Sequence, residues 1–180
     1  MVVLRDFVND EELNQLLHNH GFIRIDMPES CIVEDLSWND TEEYVRSLSA
    51  RSRRHFRNEI QPYEEHFDVV YEKRVTEKRI DEFYNLYENV WSNNYGLNTF
   101  SFPKQLFLNM SSDPHWEFIV LRLKEEYDPR PERQPVGVMF CYINMEHTYV
   151  PAFIGIDYNL NQEHQIYRQL LYQTIKRAKS

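Results

Sequence analysis

Residues Gly155–Ser180 read GIDYNLNQEHQIYRQLLYQTIKRAKS. The stretch divides into the tail of a strand, a short polar loop and a helix from about Gln162. Tyr167, Leu170, Leu171, Thr174 and Ala178 recur at helical spacing and predict the helix's inward stripe. Asn161 and Glu163 suit an ordinary capped helix start. A helix start also offers free N–H groups and the positive dipole end, which favour an anion. Glu163 disfavours one there, so the two readings stand side by side.

Upstream, PVGVMFCYIN and HTYVPAFIGIDY predict two long strands joined at Asn144–Glu146 as a hairpin. WEFIVLRLK is a further strand, and YDPRPERQP a proline-broken loop. Pro103 opens a short helix through Met110. Before the loop SNNYGLNTF, Thr76 caps a helix whose Ile80, Phe83, Tyr84, Tyr87 and Trp91 share one face. FDVVYEK, Phe67–Lys73, is the first strand of this run. The order from Phe67 is strand, helix, helix, strand, strand, strand, helix.

The N-terminal third reads differently. NDEELNQLLHNHG is a short helix, capped by Asn9 with Glu12 at the capping-box position and stopped by Gly21. FIRI and CIV are short strand candidates. Asp40 and Glu43 cap a long helix expected from about Thr41 to Glu59, ended by Pro62. These signals divide the chain into an appendage over 1–61, carrying a basic helix, and a main domain over 62–180.

The 180 residues are 42% hydrophobic and 14% aromatic, enough for a packed core. No stretch approaches the ~20 apolar residues of a membrane span. The acidic start MVVLRDFVNDEEL does not suit a signal peptide; the expectation is a cytoplasmic protein. A net charge of −9 argues against non-specific nucleic-acid binding. Cys31 and Cys141 are too far apart for a metal motif, and the seven histidines show no ligand spacing, so no metal site is expected. There is no P-loop, nucleophile elbow or dinucleotide fingerprint.

This order, with "LSARSRRHFRNEI", "WEFIVLRLK", "VGVMFCYI" and "YRQLLYQTIKRAK", resembles the acyl-CoA N-acyltransferase (GNAT) superfamily and its FemAB-like, peptidoglycan-biosynthesis branch. The resemblance covers about residues 67–180. It implies an α/β fold around a mixed central sheet and transfer of an acyl or aminoacyl group to a small-molecule or peptide amine. Acetyl-CoA or another acyl-CoA is the implied donor. The donor's arm would pair with the backbone of the strand holding Ile154 and Ile156. Its phosphates would meet the helix start at Gln162, Gln165, Tyr167 and Arg168. Asp157 is then the candidate base, and Tyr158 or Tyr149 the candidate acid.

Two departures qualify this. The family signature is Gln or Arg, two residues, Gly, one residue, then Gly or Ala. Gln162 matches its first position, whereas Gln165 and Tyr167 replace the small residues that let a phosphate approach the backbone. The superfamily fold also continues past the last helix, so its C-terminal strands are missing here. The short strands at Phe22–Ile25 and Cys31–Val33, or a second copy pairing through the sheet edge, would supply that wall. The alternatives are a non-catalytic recognition or assembly domain and a fragment of a two-lobed transferase.

Alternation along HTYVPAFIGIDY puts Tyr149, Phe153 and Asp157 on one face and Val150, Ile154 and Tyr158 on the other, unless a bulge intervenes. Pro151 marks an edge or a bulge. Glu117 opens a central strand, where a surface carboxylate is the usual case. On the basic helix, Arg46, Arg53 and Arg57 share a side with Arg54 beside them. Arg53, Arg54 and Arg57 are the candidate substrate-binding set for a phosphate, a carboxylate or a tRNA. The plainer reading is a solvated face paired with Glu42, Glu43 and Glu59.

Overall fold

The computed structural model describes residues 9–24, 31–93, 100–128, 130, 132–145 and 147–180. The start of the acidic N-terminus, Ile25, most of the SNNYGLNTF loop, two prolines of YDPRPERQP and Glu146 of the hairpin turn lie outside them. The chain divides into two compact units, Met1–Glu34 and Asp35–Ser180.

The first unit holds α1, Glu11–Asn19. Asp10, rather than Asn9, caps it by accepting from the Leu13 N–H at 2.8 Å. Gly21 follows at φ +83, a conformation glycine adopts without steric cost. Phe22–Arg24 carry no strand, and Cys31–Val33, also in this unit, carry none either. Their expected role as a sheet wall therefore fails over the described residues.

The second unit begins with α2, Thr41–Ser47, and α3, Ala50–Glu59. One long helix was expected. Leu48 is extended, and the Ser49 side chain accepts from the Ser52 N–H to start a new helix. A 3-10 turn, Gln61–His66, leads into β1, Phe67–Glu72. Then follow α4 (Glu77–Asn93), α5 (Lys104–Ser112), β2 (Trp116–Leu123), β3 (Gly137–Ile143) and β4 (Tyr149–Ile156). The chain ends with α6 (Tyr158–His164) and α7 (Ile166–Lys179).

The strands form one sheet in the order β1-β2-β3-β4, antiparallel at all three pairings. The expected mixed sheet is thus corrected for the described strands. Even the β1–β2 link, which runs through two helices, returns antiparallel, and no described strand pairs beyond β4. Helices cover both faces. Ile80, Phe83, Leu86 and Tyr87 of α4, with Phe107 and Met110 of α5, pack on Phe118, Val120, Val138 and Phe140. Ile166 and Leu170 of α7 pack on Ile119, Leu121, Met139 and Cys141 across the sheet. β2 is buried on both sides, hence its nearly unbroken apolar run.

α7 is covered twice, so its buried set differs from the predicted stripe. Its outer side meets α2 and α3, where the Phe56 and Tyr172 rings meet edge-on with centroids 4.9 Å apart. Tyr172 is therefore buried, while Tyr167 and Leu171 face solvent. Two glycines permit close helix approach. A Cβ at Gly155 would lie 2.8 Å from the Leu86 Cβ and from the Tyr87 backbone nitrogen, and one at Gly137 would lie 2.7 Å from Ile166.

Candidate functional site

β4 is an edge strand among the described residues. Pro151 pairs with Cys141 and Phe153 with Phe140, which leaves Ala152 without a partner: a one-residue bulge. The bulge reverses the side-chain alternation. Tyr149 packs on the α7 side, whereas Phe153 packs among the α4 and α5 aromatics. Tyr149 and Phe153 thus occupy opposite faces, correcting the unbulged alternation. Val150, Pro151 and Ala152 are exposed along this edge.

Below the start of β4 lies a buried charge. Glu117 is 1% exposed. Its Oε2 accepts from the Tyr149 hydroxyl at 2.8 Å and from Arg177 Nε at 2.7 Å. Its Oε1 accepts from Arg177 Nη2 at 2.7 Å, and Lys73 Nζ lies 3.6 Å away. Burial would raise this carboxyl. The hydrogen bonds from Arg177 and Tyr149, with the two cationic charges, outweigh burial and hold it below the usual carboxylate range. Tyr149 is pushed above the usual phenol range, first by burial and then by Cys141 and Glu117. Burial also pushes the Cys141 thiol up to about 12.

At the opposite end of β4, Asp157 caps α6 by accepting from the Asn159 N–H at 3.0 Å, and Arg130 lies 3.7 Å from it. α6 ends at Gln165, a non-glycine residue at φ 56 and ψ 40. Left-handed backbone is what glycine would supply at this position of the family signature. The Tyr167 N–H at the start of α7 donates to Asn161 Oδ1 at 2.9 Å. Arg168 Nη1 reaches Gln165 Oε1 at 2.6 Å and Glu59 Oε2 at 2.8 Å.

Residues 50–180 match the family described as the acetyltransferase (GNAT) domain. This chain belongs to the GNAT family. No curated protein matches it, and no solved structure does. The match covers all four strands of the GNAT domain and begins at the first residue of α3.

The GNAT domain separates residues that the sequence grouped as catalytic. Tyr149 and Asp157 lie at opposite ends of an eight-residue strand, roughly 25 Å apart at ~3.3 Å per residue. Asp157 and Tyr158 flank the start of α6, and Tyr158 is exposed. Ile156 is buried and Ile154 half-buried against the α7-side core. Any contact these two make along the edge is through backbone. Gln162 is exposed, and its carbonyl accepts from the Gln165 amide. Gln165, Tyr167 and Arg168 lie together where α6 meets α7.

The arginine set divides as well. Arg53 turns inward and donates to the carbonyls of Leu48 and Arg46, closing the end of α2. Arg57 meets Glu42 at 3.5 Å, the plainer pairing. Arg54, with Arg51, His55, Asn58 and Glu59, lines an open cavity of about 300 Å³. A larger one of about 460 Å³ lies at the turn after β1, lined by residues from Tyr71 to Arg79. Neither touches β4; a donor arm that pairs with a strand edge needs a free edge rather than an enclosed pocket.

Two features escaped the sequence reading. Glu117 is buried, not superficial, because Arg177 arrives from a helix sixty positions away. His66 and His164, read as isolated, meet through their Nδ1 atoms at 3.0 Å. Neither partnership has a local signal, since each joins residues distant in sequence. No group of three or more metal-ligating side chains is found among the described residues, and no described helix is long and apolar enough to cross a membrane.

Proposed function

We propose that this GNAT domain is a cytoplasmic N-acyltransferase that moves an acyl group from an acyl-CoA donor to the amine of a small molecule or peptide. The observation that carries the reading is the bulged free edge of β4, which runs into the α6–α7 junction. An unpaired strand edge presents backbone N–H and C=O groups in a row, suited to the amides of an extended arm. The junction fits the donor's phosphates in its backbone: Gln165 has the left-handed conformation, and Tyr167 turns its side chain to solvent, 47% exposed. Arg168 adds a cation at that helix start. Asn161 must release the Tyr167 N–H for a phosphate to take it.

The bound donor supplies an activated thioester, and the domain's own contribution is orientation. Tyr149 keeps its proton and donates a hydrogen bond to Glu117, so it fixes the first half of β4 rather than serving as an acid. Asp157 fixes the other end by capping α6. The FemAB-like branch, with an aminoacyl donor and a tRNA at the arginine face, is a narrower form of the same proposal. A second reading, a recognition domain without catalysis, is favoured by the Tyr167 N–H being already paired.

Calorimetric titration with acetyl-CoA tests the proposal on wild type, Arg168→Ala and the Arg51→Ala/Arg54→Ala pair. Binding weakened by Arg168→Ala supports an acyltransferase with its phosphates at α7. Absence of binding at millimolar acetyl-CoA refutes the CoA-dependent reading and leaves the recognition domain.

A further inference from the structure

His66 closes the 3-10 turn before β1, and its carbonyl accepts from the Lys124 N–H at 2.9 Å, which ties it to the sheet. His164 is the last residue of α6, 4% exposed, and is followed by left-handed Gln165. Their Nδ1 atoms are 3.0 Å apart across 98 positions of sequence. The His66 ring stacks on Tyr127 with centroids 4.0 Å apart and planes at 20°. Tyr63 meets it from the 3-10 turn at 5.3 Å.

At this distance one Nδ1 donates and the other accepts, so one ring must present a bare lone pair. Two imidazolium rings would set two N–H groups and two positive charges against each other. We propose that His66 and His164 form a proton-operated clasp that holds the α6–α7 junction at neutral pH and releases it in acid. That this junction receives a donor's phosphates rests on the function proposed above; the clasp does not.

The charged groups around the pair set the order of events. Glu65 comes from the 3-10 turn, Glu126 from the turn after β2 and Glu163 from α6. These carboxylates favour a first proton, which turns the contact into a charge-assisted hydrogen bond. The second proton breaks it. For His66, burial and the neighbouring His164 lower the affinity for a proton despite the carboxylates.

Amide exchange of the full chain at about pH 7.5 and about pH 5.5, corrected for intrinsic rates, tests this without any ligand. In wild type, protection over 158–168 should fall by up to about tenfold per pH unit once the second proton is taken up, while β2 stays protected. His66→Gln supplies a neutral donor to His164 Nδ1, so its junction should be equally protected at both pH values. His66→Phe should expose the junction at both. Equal wild-type protection at the two pH values overturns the clasp, as does an acid loss in His66→Gln equal to wild type. If His66→Gln does not fold, ring ¹⁵N spectra of wild type decide. One protonated and one bare Nδ1 at neutral pH supports the clasp, and two bare Nδ1 atoms overturn it. Acetyl-CoA calorimetry run alongside separates the proposals: absent binding removes the donor and leaves the exchange result standing.

Discussion

Arg177→Ala removes one side of the ion pair that holds the buried Glu117. Glu117 would lose both 2.7 Å bonds from the guanidinium and keep the Tyr149 hydroxyl and a lysine at 3.6 Å. Stripping a buried carboxylate of its partner costs about 3–5 kcal/mol where the site is dry. Arg177 is itself about a third exposed and Lys73 can swing inward, so the expected loss is about 2–3 kcal/mol. For a domain of this size that lowers Tm by roughly 4–12 °C. Replacing both partners with apolar residues, Glu117→Leu with Arg177→Met, should bring stability back to within about 1 kcal/mol of wild type. The sign with pH follows from the depressed carboxyl. In wild type its contribution is full above the unfolded carboxyl's titration and is lost as pH falls through the lower folded value. In Arg177→Ala the carboxyl titrates higher, so the deficit should narrow between about pH 7 and pH 4. Urea unfolding at several pH values measures both. A single variant within about 0.5 kcal/mol of wild type, or a deficit that does not change with pH, would refute the reasoning.

Gly155→Ala should destabilise by about 1–3 kcal/mol, since its methyl meets Leu86 and the Tyr87 backbone at 2.8 Å and α4 must back away from β4. Thermal melting checks this, and a neutral result would mean that α4 does not sit so close. Gln165→Gly should be neutral or stabilising by up to about 1 kcal/mol, relieved of left-handed strain but without the Arg168 contact, whereas Gln165→Val should cost about 2 kcal/mol. Adding Tyr167→Ala to Gln165→Gly restores the small residues of the signature and should tighten acetyl-CoA binding by calorimetry; weaker binding would count against phosphates at this helix. Tyr149→Phe should cost about 1–2 kcal/mol through the lost bond to Glu117, with unfolding in urea as the measure.

Elements whose signals are local were legible in the sequence. The Asp40 cap, the Thr76 start of α4, the apolar face from Ile80 to Tyr87 and the β3–β4 hairpin all follow from neighbouring residues. Interruptions inside an otherwise periodic run were harder to see. Ser49 and Gln165 each split what looked like one helix, because a cap or a left-handed residue leaves the flanking periodicity intact. FIR and CIV show the limit of short apolar runs: β-type residues without a sheet to join do not make strands. The site was legible only as a neighbourhood. The helix start expected near Gln162, Gln165, Tyr167 and Arg168 lies at the α6–α7 junction; Asp157 caps α6 through the nearby Asn159 and Arg53 braces α2 through Leu48, whereas Glu117 as a buried ion depends on Arg177, sixty positions away, which no spacing rule connects.

The unpaired Ala152 makes β4 two short strands in series, with opposite rules for which odd-numbered residues face α7. Drawing Ala152 into the ladder opposite Cys141 would leave the end near Gly155 in place and rotate everything before it by half a turn. The Tyr149 hydroxyl would then leave Glu117 and point into the aromatic layer under α4 and α5. The two halves can therefore accept substitutions independently. When relatives are aligned through this strand, a gap opened or closed at position 152 changes which of their residues is the counterpart of Tyr149.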